Sequence, residues 1–198
     1  MEDGQKLGSA RAIIDPDGDL VLVIEGRELV VSRKALCLSS SVFRAMLRDG
    51  SPFLESTDQV IASDGLRRIQ LKEDNYEAMS IVAKVIHMQH DIVPVTVSFN
   101  MLETLAVACD KYDIRQCLGF WPQKWSEPHF HTVTTPGYER WLFIAFIFRN
   151  ATVFSMISHH FMLNTKLTET GDLQFPGSNQ TSEGVPNGIL GTYDRVCT

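Results

Sequence analysis

The sequence predicts an α+β fold, in which a small mixed sheet is joined to clustered helical hairpins. Residues 20–24 read LVLVI, an unbroken apolar run that is typical of a strand covered on both faces. Residues 29–47 lead from an apolar strand ending, through Ser32, into two short helical segments joined by serines. Between residues 102 and 112, apolar side chains recur at the spacing of one helix face. These three patterns indicate strands first and helices afterwards.

The first strands are predicted to form a hairpin. Residues 15–19 (DPDGD) are dense in turn residues and end an N-terminal arm, which we expect to be disordered. Gly26 and a neighbouring residue supply a tight turn, so that residues 29–31 return beside residues 20–24.

A helical pair over residues 33–48 follows the hairpin and ends at a turn that contains Gly50 and Pro52. After a polar loop, residues 69–71 are predicted as a short strand. Asp74 is then predicted to cap the next helix, because a glutamate three residues later completes the pattern of a capping box.

The rest of the chain up to residue 165 is predicted to consist of helices and one linker. Ser98 is expected to cap one helix, and a further helix covers about residues 113–125. The chain then divides into an arm (1–14), a globular domain (15–126), a linker (127–137), a helical extension (138–165) and a disordered tail (166–198). The apolar hairpin of the extension either completes the core or docks a partner.

Composition and charge exclude several classes of function. The net charge is −6, and nucleic-acid binding needs clustered basic side chains that this chain does not have. The apolar stretch from Trp141 to Phe148 is far shorter than the roughly 20 residues that cross a bilayer. The N-terminus has no apolar signal segment. We therefore expect an intracellular protein, in the cytoplasm, the nucleus or both, that binds neither nucleic acid nor membrane.

The sequence offers no catalytic, cofactor or metal site. Its four cysteines lie far apart, which predicts neither a zinc site nor a disulfide framework. His87 and His90 are three residues apart, but no full ligand set accompanies them. The serines at residues 39–41 lack a nucleophile elbow and are expected to cap a helix. We expect a protein that is not an enzyme and binds no cofactor.

Two blocks of the chain resemble the BTB/POZ domain family. Residues 29–47 are similar to the family pattern F-x-V-H-K-x-V-L-x-x-x-S-x-V-F-x-x-M-F, except that Ser32 stands where many members carry histidine. Residues 105–113 (LAVACDKYD) resemble the signature L-A-x-x-A-D-K-Y-x. The resemblance extends from Asp19 to about Trp125 and implies a BTB/POZ fold. Residues 85–94 and the tryptophans further on resemble fungal-type members.

The resemblance implies a protein–protein interaction module that forms homodimers. It places the dimer contact on the first strands and short helices, with five apolar residues as candidates: Leu20, Leu22, Leu36, Phe43 and Met46.

In members that bind a cullin, the loop after the second short helix carries an apolar-x-Glu element. Phe53, Leu54 and Glu55 match it here, which implies a substrate adaptor of a cullin-RING ubiquitin ligase. Alternatively, Phe53 covers the domain's own edge, and the protein is a scaffold or transcription-regulatory dimer that does not contact a cullin.

Overall fold

The computed structural model describes residues 11–48, 60–61, 64–164, 166–167 and 173–174. The chain forms two compact units. The first unit comprises residues up to Pro94 together with Val107–Leu118, and the second comprises Val95–Ala106 together with residues from Gly119 onwards.

A mixed five-stranded sheet with the strand order β1-β3-β2-β5-β4 lies in the first unit. Its strands are β1 (Arg11–Ile13), β2 (Leu20–Ile24), β3 (Arg27–Val31), β4 (Val60–Ile61) and β5 (Arg67–Gln70). Strand β2 runs antiparallel to β3 and parallel to β5, and β1 runs parallel to β3. Sheet and helices together confirm the predicted α+β class.

Two strands differ from the prediction. Strand β1 forms within the arm that the sequence predicts to be disordered, and it is the edge strand of the described sheet. The remainder of that arm, residues 1–10, lies outside the described residues. Strand β5 begins two residues before the predicted strand at residues 69–71.

The turn between β2 and β3 uses left-handed backbone at two successive residues. Glu25 has a φ of 50° and Gly26 a φ of 74°. Two-residue hairpins favour this conformation because it matches the right-handed twist of the strands. The predicted turn at Gly26 is therefore confirmed, with Glu25 as its partner.

An ion-pair cluster ties β1 to the sheet. The Asp64 carboxylate lies 2.8 Å from the Arg68 guanidinium and 3.2 Å from that of Arg11, and Glu28 lies 3.0 Å from Arg68. The hydrogen bond from Arg68 is the main reason that the pKa of Asp64 lies well below its usual range. A carboxyl whose pKa is lower in the folded than in the unfolded state stabilises the fold at any pH above the unfolded pKa. This contribution is lost only when the pH falls into the acid range, towards the folded pKa. The cluster therefore persists at neutral pH.

The helices of the first unit follow the predicted order. The α-helices among its described residues are α1 (Arg33–Ser39), α2 (Ser41–Leu47), α3 (Tyr76–Ile86), the C-terminal half of α4 (Phe99–Tyr112) and α5 (Arg115–Leu118). The predicted cap of α3 is wrong by one residue. Asn75, not Asp74, caps the helix, and its side chain accepts a hydrogen bond from the Ala78 amide.

Asp74 instead anchors α4. Its buried carboxylate accepts hydrogen bonds from Lys111 Nζ at 2.8 Å and from the Tyr112 hydroxyl at 2.7 Å. A buried carboxylate needs such partners, because an unpaired charge in the interior is costly. The contact holds the end of α4 beside the residues that precede α3.

In its described residues, the second unit contains the N-terminal half of α4 and three further α-helices. They are α6 (Trp121–Ser126), α7 (Trp141–Ile147) and α8 (Ala151–Asn164). The single helix predicted at residues 113–125 is wrong: Gly119, with a φ of 57°, separates α5 from α6. The predicted linker contains a 3-10 helix over Glu127–Thr132.

The helical hairpin predicted near the C-terminus corresponds to α7 and α8. Trp141 is buried, and its indole N–H donates to the Thr132 hydroxyl at 2.9 Å. Two short strands, Lys166–Leu167 and Leu173–Gln174, pair within the region predicted as a tail. The rest of that region lies outside the described residues.

Candidate interaction surfaces

Three contacts hold the N-terminus of α1. The Ser32 hydroxyl accepts from the Ala35 amide at 3.3 Å, and the Asp19 carboxylate accepts from the Arg33 amide at 2.7 Å. The first amides of a helix have no partner within the helix, so both contacts satisfy otherwise unpaired donors. Arg33 also donates to the Leu47 carbonyl at 2.6 Å, which joins the start of α1 to the end of α2.

Ser40 fixes the junction between α1 and α2. Its buried hydroxyl accepts from the Phe43 amide at 2.9 Å and donates to the carbonyl of Tyr112. The capping role predicted for the serine cluster is therefore confirmed at Ser40. Since both of its ends are held, α1 presents its outer face in a defined orientation.

The outer face of α1 and the β1 edge each carry one large exposed apolar side chain. Leu38 on α1 is 70% exposed, and Ile13 on the edge strand β1 is 63% exposed. Single exposed apolar residues are common on proteins. Leu38, however, lies on a helix whose two ends are held by hydrogen bonds. Ile13 lies on an edge strand, whose outer backbone groups can pair with another chain.

The five residues predicted as dimer contacts lie in the core of the first unit. Leu20, Leu22, Leu36 and Phe43 are at most 1% exposed, and Met46 is 4% exposed. Their side chains have almost no surface that a second copy could touch. The strands and helices that carry these five residues remain predicted contact elements. The exposed apolar side chains, Leu38 on α1 and Ile13 on β1, are not among the five.

The predicted cullin-type element, Phe53, Leu54 and Glu55, lies outside the described residues. The role assigned to it from the sequence stays a prediction.

His87 forms a hydrogen bond with the backbone immediately before α1. Its Nε2 accepts from the Ser32 amide at 2.9 Å, so its Nδ1 carries the proton and donates to the Ala83 carbonyl at 2.7 Å. Both ring nitrogens are occupied. No sequence pattern indicates this role, because Ser32 lies 55 residues away along the chain. In the described part of the chain, no cluster of three or more His, Cys, Asp or Glu residues could hold a metal ion.

The cysteines of α4 and α5 differ in their surroundings. Cys109 is 2% exposed, as expected of a core residue, and burial raises the pKa of its thiol to about 12. Cys117 is half-buried, and its Sγ donates to the carbonyl of Ser39 at 3.0 Å.

We expect Cys109 to resist alkylation in the folded protein. Because the thiolate is the nucleophile, a pKa near 12 leaves roughly one thiol in ten thousand reactive at pH 8. Treatment with iodoacetamide, followed by mass spectrometry, should modify Cys37, which lies partly exposed on α1, at least about a hundredfold faster than Cys109. Unfolding in guanidinium should remove the difference. Equal rates in the folded protein would contradict the burial of this thiol.

The α7–α8 hairpin of the second unit also exposes apolar side chains. Phe146, Met156, Met162 and Leu163 are each between 48% and 70% exposed.

Among the helices that the structure describes, none is both long enough and apolar enough to cross a membrane.

Comparison with protein families identifies a domain in this chain. The BTB/POZ domain family model matches residues 17–119, just over half of the chain. These residues include β2 to β5 and α1 to α5. No curated protein matches the chain.

Proposed function

Because the chain belongs to the BTB/POZ domain family, a family of protein-interaction domains, we propose that it acts by self-association through the outer face of α1 and the β1 edge. No chemical step is part of this function. The observation that carries the proposal is the exposure of Leu38 and Ile13 on these two elements.

Physical considerations support this surface. Burial of exposed leucine and isoleucine side chains against a partner is favourable by about 25 cal/mol for each Å² of apolar surface removed from water. The interactions at Ser32, Asp19 and Ser40 hold α1 in place before association, so little ordering entropy opposes binding. A symmetric dimer would use the same patch on both copies.

Co-expression of two differently tagged copies of the full chain tests the proposal. If the chain self-associates, purification through one tag also recovers the copy that carries the other tag. An excess of untagged chain should then displace that second copy. Recovery of a single tag at every concentration would contradict the proposal.

We further propose that Phe53, Leu54 and Glu55 contact a cullin scaffold, which would make the protein a ubiquitin-ligase substrate adaptor. The support is the sequence element alone, placed between α2 and β4. An aromatic anchor beside a carboxylate suits a partner pocket with a basic or amide rim. The alternative is a scaffold or transcription-regulatory dimer without cullin contact. The resemblance to fungal-type members fits either function.

Replacing Phe53 with alanine is expected to weaken binding to a purified cullin N-terminal domain at least about 30-fold, because truncating a central aromatic anchor costs about 2 kcal/mol or more. Calorimetric titration of the full chain measures this, with Phe146→Ala as the matched control. The wild-type chain should bind with a micromolar or lower Kd. Absence of wild-type binding, or equal affinity of wild type and Phe53→Ala, would favour the scaffold.

A further inference from the structure

A groove of about 450 Å³ opens in the second unit. It lies between α6, the 3-10 helix, the α7–α8 loop and the first turn of α8. Its volume falls within the range of about 300–1,000 Å³ that is typical of ligand sites. Most of its lining residues are apolar, and the larger of these are Pro122, Phe130, Val133, Phe148, Val153 and Met156.

Arg149 is the charged residue that lines this groove, and no aspartate or glutamate is among the described residues of the lining. Two other basic side chains of the second unit do have acidic partners. Lys124 pairs with Glu127 at 3.5 Å, and Arg140 pairs with Glu103. Arg149 thus supplies a positive charge that an acidic ligand group could neutralise.

The backbone does not require arginine at residue 149. Its φ is 54°, and it ends α7 in a turn where the Asn150 amide donates to the Ala145 carbonyl at 2.9 Å. Glycine is the preferred residue in this left-handed position, and a residue with a side chain costs roughly 1–2 kcal/mol there. Arg149→Gly therefore removes the positive charge, and the backbone can keep its conformation at this residue.

An exposed stripe continues from the groove along α8. Thr152, Met156, His159 and Leu163 follow one another at four-, three- and four-residue intervals and share one helix face. At 1.5 Å per residue, the stripe is about 16 Å long. Helix α8 contains no aspartate, glutamate, lysine or arginine, so no acidic side chain lies along the stripe to repel a carboxylate.

We propose that the groove and this stripe form the docking site for an amphipathic helix of a partner protein, with a carboxylate that meets Arg149 and apolar side chains that enter the groove. The proposal rests on the proposed function as a protein-binding module and names the chemistry of a partner. An amphipathic helix in a groove buries apolar side chains at intervals of three and four residues, which fits the 16 Å stripe. The opposite charge at one end fixes the direction of the helix.

Selection of phage-displayed random 16-residue peptides on the full 198-residue chain tests this site. Enriched peptides should carry apolar residues at three-and-four spacing and an aspartate or glutamate towards one end. Arg149→Gly should weaken the binding of a synthetic enriched peptide at least about tenfold, and Arg149→Lys by less. Met156→Glu should weaken it as well. Arg149→Gly should unfold at the wild-type temperature or above it, which separates lost binding from lost fold.

Several results would overturn the proposal. They are a failure to enrich peptides, enrichment of lysine- and arginine-rich peptides, or equal binding by wild type and Arg149→Gly. Occupation of the groove by residues 165–198 would give the first result. Occupation by a second copy would show as dissociation of a dimer by Arg149→Gly. Co-purification of the two tagged copies, measured on the same samples, separates this site from the proposed self-association. If the chain binds the peptide but stays monomeric, the self-association proposal is refuted and the groove proposal is not.

Discussion

Replacing Phe43 with alanine is expected to lower the free energy of unfolding by about 3–5 kcal/mol. The side chain is fully buried, and its ring stacks on that of Tyr112 with centroids 4.3 Å apart and planes 4° apart. The substitution removes this contact and leaves a cavity that a close-packed core only partly fills. The loss is a large part of the about 5–15 kcal/mol that stabilises a typical domain. Urea unfolding followed by circular dichroism measures it.

Phe120→Ala is the matched control for this substitution. Phe120 is 61% exposed and stacks on Trp121, so we expect its removal to cost less than about 1 kcal/mol. If Phe43→Ala proved as mild as Phe120→Ala, the stacked Phe43–Tyr112 pair would not be a core contact.

Replacing Leu38 with glutamate is expected to abolish self-association and leave the fold intact. Burial of a leucine in an interface contributes about 1.5–3 kcal/mol, and a symmetric dimer loses it twice. The affinity should fall by about two to four orders of magnitude. The side chain is 70% exposed in the single chain, so the melting temperature should change little. Dilution calorimetry measures the affinity, and thermal unfolding checks the fold.

Leu163→Glu is the matched control for Leu38→Glu, since Leu163 is also 70% exposed but lies on α8. We expect this variant to self-associate like the wild type. Equal loss of association in both variants would indicate a general effect of added negative charge, not a contact at α1.

Local patterns were sufficient to predict much of the first unit. The run at residues 20–24 forms β2, the glycine turn forms the hairpin, and Ser40 caps α2 as a serine between two short helices should. Each of these features depends on residues that are neighbours in the sequence. For the same reason, the α+β class and the break between α7 and α8 could be predicted.

Tertiary contacts decided the features that were predicted wrongly. Asp74 and Asn75 both have suitable capping side chains, but Lys111 and Tyr112 engage Asp74 from nearly 40 residues further on. Strand β1 has only three residues and pairs in parallel with β3, which follows β2 in the chain. Such pairing leaves little periodic signal in the sequence.

Of the candidate interaction surface, α1 was predicted as a contact element, but its exposed residue Leu38 was not named, and β1 was not predicted as a strand. Helix α1 has only seven residues, so the sequence could not indicate that Leu36 faces the core while Leu38 faces solvent. The groove could not be predicted, because residues of α6 and α8 form it together. Arg149 offered one signal, since it is the single lysine, arginine, aspartate or glutamate between residues 141 and 164.

Sedimentation equilibrium of the full chain, from low to high micromolar concentration, tests the central claim most directly. Self-association through α1 and β1 predicts a concentration-dependent shift to twice the 22.3 kDa mass of one chain, and the shift should be absent in Leu38→Glu. A wild-type chain that keeps the mass of one copy throughout, or a dimer that Leu38→Glu does not affect, would contradict it.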